Sequence, residues 1–157
     1  MSATPPDPAT GEQGHFRRLE ALYRDAPIQK LFPSRLHILE PGRTVIDFTV
    51  EPSLFHGAGA AHGSVYFKMM DDAAFFAANS LVSDRFVLTT AFNIFLTRPL
   101  REGPAKAEGR WISGHRRVLV AEARIVDSGG QECGRGTGTF HRSHIALSSL
   151  PGYRLDE

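Results

Sequence analysis

The sequence predicts an α+β domain in which a curved antiparallel sheet wraps around one long central helix, with an extra helix at the N-terminal side. Two observations predict this class. Residues 60–80, AAHGSVYFKMMDDAAFFAANS, read as a helix that is apolar around most of its circumference and therefore needs a sheet to cover it. Four consecutive segments with strand periodicity then follow, joined by short links, which is typical of antiparallel hairpins.

Residues 14–145 are expected to form this single domain, between tails at residues 1–13 and 146–157. The first tail is rich in proline and glycine and has too little apolar surface to offset the entropy of ordering it. The domain opens with an amphipathic helix from His15 to about Leu31, which Pro27 should break or kink. Its apolar side chains recur at helical spacing: Phe16, Leu19, Leu22 and Tyr23.

The strands are predicted from a two-residue alternation of apolar and polar side chains. One covers residues 43–51, before the long helix. The other four are predicted at residues 85–100, 105–114, 117–127 and 131–141. Asp127-Ser128-Gly129-Gly130 indicates a hairpin turn between the last two. Alternating glycines along the last strand, Gly134, Gly136 and Gly138, indicate a close backbone approach or sharp curvature there.

Composition excludes several classes of function. A net charge of +1 gives no reason to expect nucleic acid or an anionic membrane as the main partner. No apolar run approaches the length of about 20 residues that a membrane span needs. With one cysteine, Cys133, and no signal-peptide pattern, we expect a cytoplasmic protein. The dispersed histidines lack zinc spacing and no phosphate-binding glycine loop is present, so neither a metal nor a cofactor is expected.

The long helix carries two adjacent aspartates, for which the sequence predicts different environments. Asp72 follows Lys68 by four residues, the spacing of a surface ion pair. The polar strip of this helix consists of Ser64, Lys68, Asp71, Asp72 and Asn79. Asp71 lies at the edge of the strip, beside Phe67, and Phe75 lies in the middle of it. A solvated helix face rarely carries a phenylalanine, so this strip is predicted to be a seam against a second copy of the chain or a ligand.

The start of the same helix offers a site for developing negative charge. The first turn of a helix has unpaired backbone N–H groups and the positive end of the dipole. Gly63 has no side chain to block approach to its N–H, which suits an oxyanion site. An ordinary helix cap is the alternative interpretation of a glycine at this position.

Three motifs together resemble those of the hotdog-fold acyl-CoA thioesterases, in the phenylacetate-degradation (PaaI-like) and 4-hydroxybenzoyl-CoA thioesterase branch. They are H62-G63-S64-x6-D71-x-A73, a strand ending R98-P99-L100, and T137-G138-T139-F140. The resemblance covers roughly residues 45–141. It implies a homodimer, with a dimer of dimers as an open alternative, an active site between protomers, and an acyl-CoA substrate hydrolysed without a cofactor.

The resemblance also implies roles for individual residues. Gly63 is the expected oxyanion donor, and Asp71 is the carboxylate, supplied by the partner's helix. His62 is expected beside the thioester. Thr89 is expected near the attacking water, with Thr90 as the alternative; β-propensity alone also explains both threonines.

Two features depart from the pattern of the family. Ser64 replaces the second glycine of the signature, and His56 stands where relatives often have Asn or Gln. His56 is expected to replace the amide's hydrogen bond or to mark a different substrate; an exposed loop histidine is the alternative. His115 and Arg116 are implied contacts to the coenzyme A phosphates, with a solvated turn as the alternative. Phe75 is a candidate for the acyl pocket.

The sequence is compatible with two chemical routes for the Asp71 carboxylate. Asp71 either activates water as a general base or attacks the carbonyl directly. A hotdog hydratase or dehydratase, and a sensor that binds acyl-CoA without cleaving it, are the alternative functions.

Overall fold

The computed structural model of the protein describes residues 11–156 and confirms the predicted α+β architecture. Its helices are α1 (Gly11–Asp25) and α2 (Gly63–Asn79). Its strands are β1 (Ser34–Glu40), β2 (Arg43–Val50), β3 (Arg85–Leu96), β4 (Gly103–Ser113), β5 (Val118–Asp127) and β6 (Glu132–Ala146). They form one antiparallel sheet in the order β1-β2-β4-β5-β6-β3, and α2 packs against all six strands.

The sheet surrounds α2 closely because small residues face the helix. Gly109 on β4 lies so near the helix that a Cβ atom there would stand 2.1 Å from the Ala73 carbonyl oxygen. Thr44 on β2 donates a hydrogen bond to the same oxygen at 2.6 Å. The apolar arc predicted for the helix is buried: Val65, Tyr66, Met69, Met70, Ala73, Phe76 and Ala77.

The glycines of β6 accommodate an aromatic ring of the neighbouring strand. A Cβ atom on Gly138 would lie 2.4 Å from the Phe92 ring of β3, and one on Gly136 would lie 2.7 Å from it. The ring therefore fills the space that two side chains would occupy, as the predicted close approach requires.

Asn79 fixes the position of β3 against α2. Its buried side chain donates to the carbonyl oxygens of Val82 and Arg85 at 3.1 and 3.0 Å and accepts from the Val87 N–H at 3.0 Å. Asn79 had been assigned to the polar strip of α2, and this assignment is wrong because the start of β3 covers it.

The N-terminal predictions need two corrections. Helix α1 begins at Gly11, so the predicted tail boundary at residue 13 falls inside the helix; residues 1–10 lie outside the described part of the chain. The helix ends at Asp25, and Pro27–Lys30 forms a separate 3₁₀ turn, because proline lacks the N–H that a continuing helix needs. The sequence analysis also missed β1, whose Leu36 and Ile38 are buried.

The prediction of a C-terminal tail from residue 146 is wrong up to Asp156. Leu147 begins a short 3₁₀ turn and is fully buried. Further on, the Tyr153 hydroxyl lies 2.6 Å from His15 Nδ1 on α1. We name residues 147–156 the C-terminal segment; it packs along α1 as part of the domain.

Candidate active site

One face of α2 lies beside β3, one of the two edge strands of the sheet. Gly63, Phe67 and Asp71 occupy this face because they are four residues apart. Strand β3 runs antiparallel to the helix, so that its end lies beside Gly63 and its start beside Asp71. We name this helix face together with β3 the edge face. Its large apolar side chains are exposed in the single chain: Phe67, Leu88, Phe95 and Leu96.

Asp71 and Thr89 of the same chain meet at one end of the edge face. The Thr89 hydroxyl donates a hydrogen bond to Asp71 Oδ1 at 2.9 Å. Burial raises the pKa of Asp71 from 3.8 to about 6; the Thr89 hydrogen bond opposes this, the charge of Asp72 adds to it, and Lys68 opposes it. Asp71 is therefore a carboxylate that takes up a proton within about one pH unit of neutrality, as a general base requires.

A β-bulge decides which threonine faces the helix. The pairing of β3 with β6 shifts between Thr89 and Ala91, which leaves Thr90 as the extra residue. Thr90 is exposed; its hydroxyl lies 2.8 Å from the Thr139 hydroxyl and donates to the Thr139 carbonyl oxygen. The structure therefore brings Thr89, and not Thr90, to Asp71.

Asp72 is paired with Lys68 at 2.9 Å, but the prediction of a surface pair is wrong. The Lys68 side chain is only 9% exposed, and its ammonium also donates to the Tyr23 hydroxyl at 2.9 Å and to Gln29 Oε1 at 3.3 Å. Helix α1 and the turn after it cover this side of α2, which the sequence of α2 alone does not reveal. Burial raises the pKa of Asp72, while the charge and hydrogen bond of Lys68 lower it.

The start of α2 leaves one backbone donor free. His62 is the N-cap: its Nδ1 accepts from the Ser64 N–H at 3.0 Å and lies 2.9 Å from the Ser64 hydroxyl. Within residues 11–156 no hydrogen bond from the Gly63 N–H is found. Gly63 is half-buried, and a Cβ atom there would meet only Leu96 Cδ1, at 3.5 Å. The donor that the sequence analysis identified is therefore accessible and unpaired.

His56 lies in the loop that leads to this helix start. Its side chain is exposed, and its Nδ1 accepts a hydrogen bond from the Ala58 N–H at 3.0 Å. Its backbone N–H donates to the Ala60 carbonyl oxygen at 2.8 Å, next to an antiparallel bridge between Phe55 and Ala61. In the single chain, the hydrogen bonds of His56 therefore stabilise the loop in which it lies.

The structure separates His115 and Arg116 from the start of α2 in the same chain. The His115 ring packs against Trp111, with centroids 4.7 Å apart and the ring planes tilted by 49°. The backbone N–H of Trp111 donates to the Gly42 carbonyl oxygen, and the backbone N–H of Gly42 donates to the Ser80 hydroxyl. This turn therefore lies at the C-terminal end of α2, about 25 Å along the helix axis from Gly63.

Two other basic residues, missed by the sequence analysis, lie near the helix start. The Ala61 N–H donates to the Leu100 carbonyl oxygen at 2.9 Å, and the Tyr66 hydroxyl donates to the Arg98 carbonyl oxygen at 2.7 Å. These bonds fix the loop that carries Arg98 and Arg101, both exposed. Their signal in the sequence is the R98-P99-L100-R101 run, which had been read only as a strand end.

A cavity of about 770 Å³ opens beside Asp71 and Thr89. Its walls come from α1, the 3₁₀ turn, α2, β3, β6 and the C-terminal segment, and are mainly apolar: Leu22, Ile28, Phe75, Phe86, Leu88 and Leu150. Phe75 is only 8% exposed and contacts the rings of Phe76, Phe86 and Phe140. Phe75 is therefore covered by its own chain rather than exposed for a second copy, and it forms part of the cavity wall, so its predicted place in the acyl pocket stays a candidate.

Gly63 and Asp71 of one chain cannot act on the same carbonyl group. Eight residues separate them on α2, which places them about 12 Å apart along the helix axis. A reacting carbon must lie about 3–3.5 Å from the attacking atom and close to its oxyanion donor. A site that uses both groups thus needs the second group from another copy of the chain.

No helix within residues 11–156 is long and apolar enough to span a membrane. In the same part of the chain, no group of three or more His, Cys, Asp or Glu side chains is placed to hold a metal ion.

Comparisons with known proteins identify relatives of this chain. A family profile described as Thioesterase superfamily matches residues 58–134. A protein of Saccharolobus solfataricus named "Putative esterase SSO1253" is 29% identical over 102 residues, covering 65% of this chain and 68% of the relative. The PaaI protein of E. coli, from the phenylacetic acid degradation operon, is similar in structure, with a TM-score of 0.79 and 20% identity over 87% of this chain and 99% of that one. Thioesterase HI1161 of Haemophilus influenzae has a TM-score of 0.71 and 17% identity, over 78% of this chain and 86% of that one.

Proposed function

We propose that this chain, which has the hotdog fold and matches the Thioesterase superfamily profile over residues 58–134, hydrolyses an acyl-CoA thioester to the free acid and coenzyme A. The observation that carries the proposal is the Asp71–Thr89 pair, a carboxylate of raised pKa beside a largely apolar cavity. The unpaired Gly63 N–H supports it, because hydrolysis of a thioester needs a donor for the developing oxyanion.

In this mechanism the Gly63 N–H binds the thioester carbonyl oxygen. Asp71 takes a proton from water, the water oxygen bonds to the carbonyl carbon, and the C–S bond breaks as coenzyme A leaves and is protonated. Thr89 already donates its hydroxyl hydrogen to Asp71, so its role is to orient the carboxylate and to accept a hydrogen from the water. In the alternative route Asp71 attacks the carbon itself, and water then hydrolyses the acyl-enzyme.

Assembly through the edge face completes this site. Four large apolar side chains are exposed around an edge strand whose backbone pairs on one side only, and such an edge normally requires covering. In a symmetric dimer, the Gly63 of one protomer would meet the Asp71 of the other. The separation of about 12 Å between these two residues within one helix would then no longer prevent them from acting on the same carbonyl group. His62 and Ser64 would then hold the oxyanion loop, with His56 supporting the same loop.

Subunit mixing tests this shared site. Co-expression of Asp71→Asn chains with Gly63→Pro chains, which lack the N–H, should restore about one quarter of the wild-type sites, because half of the dimers are mixed and each has one intact site. Each variant alone should be nearly inactive. If the mixture were as inactive as its components, or if light scattering showed a fully active monomer at micromolar concentration, the shared site would be excluded.

The coenzyme A phosphates have two candidate contacts. Arg98 and Arg101 flank the helix start of the same chain, next to the proposed oxyanion donor. His115 and Arg116 lie about 25 Å from Gly63 along the helix axis, so they contact coenzyme A only if the assembly brings them to a partner's site.

A panel of acyl-CoAs assayed for free thiol tests the proposed reaction. We expect release of coenzyme A in stoichiometric amounts with the free acid. A hydratase or dehydratase would change the acyl chain without releasing thiol, and a sensor would bind acyl-CoA without turnover. Either outcome would refute the proposal.

The pH dependence of kcat/KM should follow Asp71. The pKa of the Asp71 carboxyl is raised to about 6, so Asp71 becomes protonated at a higher pH than an ordinary aspartate. The active carboxylate is therefore lost as the pH falls through about 6. Below it, kcat/KM should fall about tenfold per pH unit. A rate that stayed constant down to about pH 4 would mean that an unperturbed group or none titrates.

Thr89→Ala should lower kcat with little change in ligand affinity, since the hydroxyl orients the carboxylate; loss of such a hydrogen bond costs about 1 kcal/mol or more. It should also move the pH midpoint upward, because the Thr89 hydrogen bond lowers the pKa of Asp71. Thr89→Ser keeps the hydroxyl and serves as the matched control, with near wild-type kinetics. If the wild type, Thr89→Ala and Thr89→Ser had the same kinetics, Thr89 would have only a structural role in the strand.

A further inference from the structure

We propose that the cavity beside Asp71 binds the acyl group, that the preferred acyl group is bulky and apolar, either medium-chain or aryl, and that the terminal parts of the chain select it. This inference rests on the proposed thioesterase function. It adds the class of substrate and the residues that choose it.

The position of the cavity assigns it to the acyl side of the thioester. Asp71 and Thr89 form part of its lining, so a carbonyl carbon held at Asp71 lies at the rim of the cavity. The two substituents of that carbon are the acyl chain and the sulfur that leads to the long polar pantetheine arm. The mainly apolar walls fit the acyl chain, because burying the polar arm there would leave its amide groups without partners.

The charges around the cavity argue against an acidic acyl group. Asp71 and Asp72 line one side; Asp72 is paired with Lys68 at 2.9 Å, so the charge that would repel a second carboxylate on the substrate is that of Asp71. Arg154 at the far side does not offset this, because it is paired with Asp25 at 2.9 Å. Dicarboxylic acyl groups should therefore be poor substrates compared with apolar acyl groups of the same length.

Several walls of the cavity lie outside the stretch that matches the family. That stretch covers residues 58–134. Beyond it, the lining includes Leu22 on α1, Ile28 in the 3₁₀ turn, and Ile145 and Leu150 near the C-terminus. The family core thus supplies the carboxylate, and these terminal parts supply much of the surface that an acyl chain would touch.

The C-terminal segment is held firmly enough to act as a wall. His15 Nε2 lies 2.9 Å from the Asn79 carbonyl oxygen and must donate to it, so the other nitrogen, Nδ1, accepts from the Tyr153 hydroxyl in the neutral ring. Burial lowers the pKa of His15, which favours this neutral form. The same segment is anchored by the fully buried Leu147. Arg24 and Asp156 add an exposed ion pair, which contributes little.

Ile28 and Leu31 provide a matched pair for the test. Both are exposed apolar residues of one short segment, 43% and 67% exposed, but Ile28 lines the cavity and Leu31 does not. The experiment compares kcat/KM for octanoyl-, benzoyl-, succinyl- and acetyl-CoA in the full-length wild type, Ile28→Trp and Leu31→Trp. We expect the wild type to prefer octanoyl- or benzoyl-CoA to both small and acidic acyl groups. Ile28→Trp should lower the octanoyl-to-acetyl ratio about tenfold or more, the loss of about two buried methylenes, and Leu31→Trp should leave it unchanged.

The outcomes separate this inference from the proposed function. If acyl-CoAs are hydrolysed but the ratio is the same in Ile28→Trp and Leu31→Trp, or acetyl-CoA is preferred, the inference is overturned and the thioesterase function stands. If no acyl-CoA is hydrolysed, the proposed function fails, and calorimetry with Asp71→Asn decides the inference. Octanoyl-CoA should then bind more tightly than acetyl-CoA by about fourfold for each buried methylene; equal affinities would overturn it.

Discussion

Replacing Asp71 by asparagine should reduce kcat by about 10²- to 10⁴-fold while the fold and the assembly persist. The amide is almost the same size as the carboxyl group, and its oxygen can still accept the hydrogen bond from Thr89. It can neither take a proton from water nor attack the thioester, so both proposed routes fail. Acyl-CoA binding should persist, because the cavity and the oxyanion donor are unchanged.

The same Asp71→Asn substitution that lowers kcat should not lower the stability of the fold. The folded state raises the pKa of Asp71 to about 6, which means that folding favours the protonated form and that the ionised form at pH 7.5 costs stability. Asparagine is neutral and removes this cost. The melting temperature of Asp71→Asn at pH 7.5 should therefore equal or exceed that of the wild type, as thermal unfolding can measure.

Asp72→Asn is the informative comparison. Asp72 is the charged partner of Lys68, whose side chain is only 9% exposed, so its removal leaves a buried ammonium without its carboxylate. We expect a clear fall in melting temperature with a smaller effect on kcat. If Asp72→Asn abolished turnover and Asp71→Asn did not, the roles of the two residues would be exchanged. If neither substitution affected turnover, the mechanism would be refuted.

Gly63→Pro should lower kcat by about 10²- to 10³-fold, because it removes the N–H that is proposed to bind the oxyanion. The substitution suits this position. Gly63 is the first residue of α2, where proline is tolerated, and His62 before it is extended at φ −62° and ψ 148°, as a residue preceding proline requires. The His62 cap on Ser64 does not involve the lost N–H.

Gly63→Ala is the matched control, since it keeps the N–H and adds a methyl group. That methyl would meet only Leu96 Cδ1, at the ordinary contact distance of 3.5 Å. We expect Gly63→Ala to retain most of the activity and circular dichroism to show the same helix content in both variants. Equal kcat for the alanine and proline variants would exclude the Gly63 N–H as the oxyanion donor.

The main elements of the fold can be predicted from the sequence alone. The apolar arc of α2 and the alternation in four later strands predicted the sheet around a helix, because each period reports which side chains face the core. The polar strip of α2 and the helix start marked Asp71 and Gly63 as candidates, and the resemblance to the hotdog thioesterases implied their roles. These properties depend on residues that are near neighbours in sequence.

Burial by distant parts of the chain is visible only in the tertiary structure. Lys68, Asp72 and Phe75 belong to a strip of α2 that was predicted to be solvated or a seam. Helix α1 and the turn at Pro27–Lys30 cover the Lys68–Asp72 pair, whereas the rings of Phe86 and Phe140 on β3 and β6 pack against Phe75. The C-terminal segment, which has no clear periodicity, became a wall of the cavity through Leu147 and its neighbours. Burial of this kind depends on contacts between segments more than 30 residues apart, and it sets the pKa of Asp71 and the shape of the acyl site. No local pattern along α2 encodes it.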